Sequence, residues 1–511
     1  MSSDLSPGPP GGTPYRWRWY AFAVVLTASI MDVLDSLVTT VAGPSIRADL
    51  GGSTTVIQWL TAGYTLAMAG GLIVGGRLGD IYGRKRMFML GITGFTIGSV
   101  LCGMADSTTL LIVFRVLQGL FGAVLIPQGL GLIKDLFPVR ELPLAFGSIG
   151  PVMGVATIAG PILGGWLIGA DFFGTGWRMI FLINLPIGVL ALLAAAKLLP
   201  SSGERTATRL DLVGAAIVVV AAVLMVFPVV QGRELGWPAW TLMSLAAGLV
   251  LFVVFARYES ARHRAGDDTL VIPGLFRKRA FSGTLAAGAL VFSAIVGFSL
   301  VLTLYIQLGL GHTPLEAALY GLPQVLGSSV IALVSGKMGL PVKLGRTLIH
   351  IGTAGLCGGT LLLWVTVRAA GDGVDPLWFA PSLIVIGVGM GLAMSALYYT
   401  VNTSAEPHES GSASGTFTAV QQFSGALGVA VLGTVFFGLL GGGAGSELEA
   451  SAAGARAGLD FDQAFQGTLL VLAALYAGTF ALAFLLPRTR PTFEPGPGAA
   501  PDGESVDAAP A

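Results

Sequence analysis

The sequence predicts an all-α polytopic membrane protein, and three observations decide it. Of 511 residues, 54% are hydrophobic and only 11% charged, whereas soluble domains carry about 25% charged residues. A chain this long with so few charges cannot cover a globular surface, so most of it must face lipid. The apolar residues also fall into runs of about 20, the length a helix needs to cross a bilayer. Finally, 74 residues are glycine, a content suited to membrane helices that pack closely through small side chains.

Fourteen spans follow from that length and from the polar breaks, near 20–43, 55–76, 87–105, 109–132, 144–169, 179–199, 211–231, 240–257, 281–307, 316–336, 347–367, 377–400, 412–438 and 466–487. With the N-terminus inside, 22 Lys/Arg lie on inside segments and 5 on outside loops, with Arg115 left within a span. The positive-inside rule therefore puts both termini in the cytoplasm. The first residues form a Pro/Gly-rich tail ending in an interfacial anchor (Arg16, Trp17, Arg18, Trp19, Tyr20), not a signal peptide.

Gly76-Arg77-Leu78-Gly79 follows the second span, and Gly336-Lys337-Met338-Gly339 follows the tenth. If spans 1–6 and 9–14 are two copies of a six-helix unit, these places are equivalent, as in transporters built from parallel repeats. The organisation expected is a cytoplasmic tail (1–19), an N-terminal six-helix bundle (20–200), an inserted helix pair (201–258), a cytoplasmic linker (259–280), a C-terminal six-helix bundle (281–490) and a disordered cytoplasmic tail (491–511).

Residues 29–44, SIMDVLDSLVTTVAGP, set Asp32 and Asp35 inside the first span, where a carboxylate costs roughly 2.5–3.5 kcal/mol on insertion scales. Three apart, they share one helix face that should point into the bundle. Burial and mutual repulsion both disfavour the charged forms, so one of the pair can exchange protons, with Asp35 the expected carrier and Asp32 and Arg115 tuning its affinity; the alternative is that one Asp merely pairs with a neighbouring helix for structure. In the fourth span, FRVLQGLFGAVLIPQG (114–129), Arg115 needs a partner, with Gln118 one turn away or an acid on another helix as candidates. Otherwise it snorkels to the outer interface.

The loop after the second span, GGRLGDIYGRKRMFMLG (75–91), has glycines Gly76 and Gly83 for a tight reversal, Asp80 to cap a helix or pair with a base, and Arg84 among its basic residues. The fifth span, GPVMGVATIAGPILGGWL (150–167), combines Gly150, Pro151, Gly154, Gly160, Pro161 and Gly164. Such a smooth, bent helix suits sliding against a partner as well as static close packing.

In the second half Gln421 and Gln422, adjacent in a membrane helix, need partners. With Tyr398 and Asn402 they are candidates for a substrate cavity, as is Gln118; Met390 and Met394 read as ordinary packing. Glu316 begins the tenth span, His350 reads as a polar packing residue, and the loop residues Glu406, His408 and Glu409 read as solvated groups. Cys102 and Cys357 stand about 250 residues apart in apolar spans and read as buried thiols, without disulfide or metal. The sequence has no HExxH, no cysteine cluster, no Ser/His pair in register and no GxxxxGK[ST] phosphate loop, so neither a membrane enzyme nor an ATP-driven pump is expected. Zero net charge gives no reason to expect a nucleic-acid partner.

These motifs together resemble the major facilitator superfamily, specifically its fourteen-span drug/proton antiporter branch (EmrB/QacA type). Gly76-x-Leu78-Gly79-Asp80-x-x-Gly83-Arg84-Lys85 is similar to the superfamily's loop motif after the second helix. Arg115-x-x-Gln118-Gly119 is similar to its fourth-helix motif linked to proton coupling. Gly150-Pro151 through Gly160-Pro161-x-x-Gly164-Gly165 resembles the fifth-helix motif of antiporters. Asp35 through Pro44, and Trp177-Arg178-Met179-Ile180-Phe181-Leu182-Ile183-Asn184-Leu185-Pro186-Ile187-Gly188, resemble signatures of the fourteen-span branch. The resemblance implies the major facilitator fold, with 14 helices as two six-helix bundles plus an inserted pair. It implies a secondary transporter in the cell membrane that exports small lipophilic or cationic compounds in exchange for protons by alternating access. No cofactor is expected; the partners are a small-molecule substrate, protons and the bilayer, and the working unit is a monomer. Export of one endogenous metabolite or self-made antibiotic is the narrower alternative, and a facilitator or importer on the same fold is the other.

Overall fold

A computed structural model describes residues 15–138, 141–200, 211–232, 234–267, 269–370, 374–405, 410–440 and 456–486. The two tails beyond these limits and the loop residues Glu406, His408 and Glu409 lie outside the described residues. Fourteen long helices follow one another: α1 (Arg18–Leu50), α2 (Thr55–Tyr82), α3 (Arg84–Gly103), α4 (Thr108–Leu136), α5 (Leu142–Ala170), α6 (Gly176–Leu198), α7 (Leu212–Gly232), α8 (Ala239–Ala265), α9 (Arg279–Gly309), α10 (Pro314–Met338), α11 (Arg346–Ala370), α12 (Ala380–Ser404), α13 (Ser410–Leu439) and α14 (Arg456–Leu482). Among the described residues, thirteen helices are long and apolar enough to cross a membrane; α2, with 28 residues, is not among them but packs in their midst. Below, the near face is the one on which α1 begins, and the far face is its opposite.

Local chemistry sets the helix ends. Gly83 adopts φ 94° between α2 and α3, a conformation that glycine enters without steric cost. Thr313 and Glu316 form a reciprocal capping box at the start of α10, with Pro314 in the first turn, so Glu316 satisfies backbone donors there. At the start of α6, Trp177 Nε1 (2.9 Å) and Arg178 Nη1 (2.6 Å) donate to Asp49 at the end of α1, tying α1 to α6 at the far face. Among the described residues both cysteines are free, Cys102 buried and Cys357 half-buried.

The packing repeats. In the first six helices α1 packs on α5, α2 on α4, α3 on α4 and α3 on α6; in the last six α9 packs on α13, α10 on α12, α11 on α12 and α11 on α14. The same polar fastening recurs at equivalent places. Lys85 at the start of α3 donates to Ala196 O (2.9 Å) and Leu199 O (2.6 Å) at the end of α6. Arg346 at the start of α11 donates to Phe484 O (3.2 Å) and Leu486 O (2.7 Å) at the end of α14. Each cation satisfies carbonyls that a helix terminus leaves open. Helices α7 and α8 pack on each other, and α7 also touches α2 and α13. The two sets meet where α2 crosses α13 and α5 crosses α10.

Glycines make the closest crossings possible. A Cβ on Gly75 of α2 would collide with the carbonyl oxygen of Ala123 on α4, and one on Gly79 with the Gln128 side chain, whose Nε2 donates to Gly75 O at 2.6 Å. Gly75→Val is therefore expected to destabilise the protein by about 1–3 kcal/mol, the cost of overpacking, because the obstacle is backbone. A thermal melt in detergent should show the midpoint fall, whereas the same change at Gly76, whose added Cβ would only touch Pro127 at 3.8 Å, should move it less.

Candidate functional site

The two carboxylates of α1 enter different surroundings. Asp35 Oδ2 accepts from Arg115 Nη1 on α4. Asp35 Oδ1 accepts from Gln118 Nε2 (2.8 Å) and from Asn184 Nδ2 on α6 (3.1 Å). Gln118 Oε1 accepts from Arg115 Nη1 at 2.7 Å. Ser99 Oγ on α3 lies 2.7 Å from Gln118 Nε2 and 3.2 Å from Asn184 Nδ2. Arg115 Nε donates to Leu60 O at 3.2 Å, and the guanidinium lies 4.2 Å from the centre of the Tyr64 ring on α2. Five helices thus converge on one ion pair, both side chains of which are fully buried.

The physics of this knot is that of a buried salt bridge. Desolvating both ions is costly and is offset only when the geometry is good and further hydrogen bonds occupy the remaining lone pairs. Asp35 meets that condition with three donors. Arg115 Nη2 has no acceptor among the described residues, and the Tyr64 ring face supplies the cation–π attraction that partly compensates. Arg115 does not snorkel: it is 0% exposed.

Asp32 is held more lightly. Its Oδ1 accepts from Tyr64 OH, and the residue remains 8% exposed against 2% for Asp35. Gly122 on α4 leaves room for this pair, since a Cβ there would stand 3.2 Å from Tyr64 OH and 3.3 Å from Asp32 Oδ1. Tyr64 therefore links the two acids, donating to one while its ring covers the cation that holds the other.

Gln118 corrects the expectation from sequence. Expected to line a substrate cavity, it is 0% exposed, because the ion pair and Ser99 consume its amide. Tyr64, Ser99 and Asn184 were given no role by sequence. Asn184 lies in the sixth-helix signature and was visible as a residue, yet nothing in its spacing named Asp35 as its partner.

The other candidates are distributed along the seams. Tyr398 OH donates to Gln421 Oε1 at 2.9 Å. Gln422 Nε2 stands 2.7 Å from Met68 Sδ, where α13 meets α2. Arg84 Nη1 donates to Gly131 O (2.9 Å) and Asp135 Oδ1 (3.1 Å), joining the start of α3 to the end of α4. Asp80 and Asn402 lie on α2 and α12, and Gly150 and Pro151 on α5, but their side chains lie outside the described residues. His350 Nδ1 is 3.0 Å from Arg346 O, and its ring sits between Phe480 and Phe484, a packing position.

The fifth-helix glycines divide between two partners. A Cβ on Gly160 would press on Leu37 of α1 (3.3 Å), and one on Gly164 on Val38 (2.7 Å). Gly154 faces Ser329 of α10 (3.5 Å), and a Cβ on Gly165 would meet Leu315 Cα at 2.5 Å. The motif thus seats α5 against the acid-bearing helix on one side and the opposite half on the other. Further bonds join the halves toward the far face, where Gln307 Nε2 donates to Val41 O at 3.0 Å and Gly433 admits the buried amide of Gln58. Both polar atoms of that amide lack partners.

The profile of the Major Facilitator Superfamily matches residues 24–429. The chain belongs to the Major Facilitator Superfamily. This is a superfamily of transporters, not enzymes. A probable actinorhodin transporter of Streptomyces coelicolor is 46% identical, over 88% of this chain and 78% of that protein. A tetracenomycin C resistance and export protein of Streptomyces glaucescens is 33% identical, over 82% of this chain and 76% of that protein. Among solved structures, a bacterial homolog of the human lysosomal transporter Spinster, inward-facing and unoccupied, superposes with TM-score 0.65 over 93% of this chain and 98% of that one, at 18% identity, which speaks to the fold alone. This major facilitator chain is a multi-span membrane protein, and its bundle carries the buried acid–base knot in the first six helices.

Proposed function

We propose that the protein exports small lipophilic or cationic compounds, antibiotics among them, across the cell membrane in exchange for protons. The observation that carries this reading is the coupled pair of acids on α1: one fixed to Arg115 in a sealed ion pair, the other held, among the described residues, by Tyr64 alone. In this reading the near face is cytoplasmic, as the lysine and arginine distribution indicates, and residues 20–200 and 281–490 move as two bundles in a monomer. Asp32 exchanges the proton, Asp35 and Arg115 respond to it through Tyr64, and the glycine-lined faces of α5 are the surface over which the bundles shift. Substrate binds between the bundles, with Gln421, Gln422, Tyr398 and Asn402 among the polar groups of the second half. Proton and substrate each favour a different orientation of the same site, which suffices to couple them.

The energetics allow it. One proton crossing about 100 mV supplies roughly 2.3 kcal/mol, and with about 1.4 kcal/mol per factor of ten that sustains a concentration ratio of roughly fiftyfold. The names of the actinorhodin and tetracenomycin C relatives favour the narrower form of the reading, in which one endogenous metabolite or self-made antibiotic is the chief substrate. Inverted vesicles test both forms. Added substrate should dissipate an imposed proton gradient, and a panel of antibiotics on cells with and without the gene should identify which compounds do so. A transporter that moves substrate with no proton response would refute the exchange.

A further inference from the structure

Between the α7–α8 pair and the seam of α2 with α13 lies a second pocket of about 340 Å³, none of whose lining residues belongs to the Asp35 network. Phe252 and Phe255 of α8, Phe423 of α13 and Phe276 of the linker make its walls, and Ala419 of α13 gives it width. Its one ionisable lining residue is Glu259. A membrane protein gains nothing in packing by placing an acid beside such a wall, so this group calls for an explanation.

Glu259 is 3% exposed, as is Asp211 at the start of α7. Glu259 Oε2 accepts from Val271 N at 3.2 Å. Asp211 Oδ1 accepts from Gly214 N (2.9 Å) and Tyr258 OH (3.0 Å) and lies 3.1 Å from Arg262 Nη1. The other two oxygens, Glu259 Oε1 and Asp211 Oδ2, have no donor among the described residues. They face each other across Gly214, where a single added Cβ would stand 2.8 and 2.7 Å from them. Arg262 also reaches toward Asp267, at 4.0 Å. From α2, Arg77 is committed to Thr269 O at 2.9 Å, and α13 offers only Thr416 to the pocket among its polar described residues. Among the described residues the two buried carboxyl groups have one guanidinium, that of Arg262 on Asp211, which leaves the cluster one positive charge short. A proton can fill that place, and so can an ammonium group entering from the pocket.

We propose that this pocket binds a lipophilic monocation, an amine carrying an aromatic or alicyclic body, with its ammonium group set against Glu259, behind which Asp211 stands. The volume lies within the range of about 300–1,000 Å³ of small-molecule sites and suits a two-ring body better than a two-chain lipid. The bound amine takes the place of the shared proton and ties the α7–α8 pair, the linker and α13 together. The site does not depend on the export reading, because it is defined by binding alone.

Equilibrium dialysis of the purified protein in phosphatidylcholine nanodiscs tests it with 2-naphthylmethylamine and its neutral match 2-naphthylmethanol. The amine should bind saturably and about tenfold or more tighter than the alcohol, as expected for a charge-assisted contact. Glu259→Gln should erase that preference, and Ala419→Trp should abolish binding of both compounds, each variant being checked for folding by thermal melt. Equal affinity of the two compounds for the unaltered protein would overturn the proposal. So would amine binding that survives both substitutions, or amine displaced by phosphatidylethanolamine nanodiscs, which would make the occupant a lipid headgroup.

Discussion

Arg115→Ala is expected to destabilise the protein by about 3–5 kcal/mol, the cost of leaving one member of a buried ion pair without the other. Asp35 would keep Gln118 and Asn184 as donors but would lose its only cation among the described residues, in a fully buried position. Against a total stability of about 5–15 kcal/mol, the loss is large enough to read as reduced recovery of monodisperse protein and a lower melting midpoint. The pairing argument makes a further demand. Arg115→Met combined with Asp35→Leu removes both charges and should recover much of the lost stability, since a well-packed apolar pair can replace a buried salt bridge. It should not recover proton-driven transport. If Arg115→Ala melts like the unaltered protein, the ion pair is not what holds α1, α4 and α6 together.

The legibility of this molecule from sequence follows what a bilayer demands. Helices were legible because lipid admits few alternatives to a run of about 20 apolar residues. Their ends were less so: α1 continues to Leu50 beyond the apolar run, because Asp49 finds Trp177 and Arg178 at the far face. The ion pair was legible in outline, since a cation inside a span requires an acid and the first span offers two. Its neutral members were not. Tyr64, Ser99 and Asn184 are single polar residues in apolar helices, and hydroxyls in such helices commonly bond their own backbone, as Thr39 does to Asp35 O at 2.7 Å. Periodicity gives no sign of which one faces a buried charge. Gln118 was legible as a partner of Arg115, because an amide one turn from a buried arginine can serve it directly. The Asp211–Glu259 cluster was hidden because its members stand at the ends of two helices, where acids are ordinarily solvated.

Asp32→Asn is expected to abolish uphill export while leaving the protein folded and able to exchange substrate for substrate. The substituted amide keeps an acceptor for Tyr64 OH, the donor to Asp32 in the unaltered protein, but cannot ionise. It therefore holds the site in the neutral condition that a protonated Asp32 would have. A carrier frozen in that condition can still reorient with substrate bound, yet it has no proton to release and so nothing to couple to the gradient. In vesicles, counterflow of labelled substrate should persist at near its original rate, while accumulation against a gradient should fall from the roughly fiftyfold that about 100 mV supports to none. Asp35→Asn should behave differently, because it strips Arg115 of its counter-charge and so lowers both activities together with the melting midpoint. The contrast between the neighbouring acids is the decisive feature. Uphill accumulation surviving Asp32→Asn would move the proton to Asp35 or out of α1 altogether, and equal loss of counterflow in both variants would make Asp32 a structural anchor.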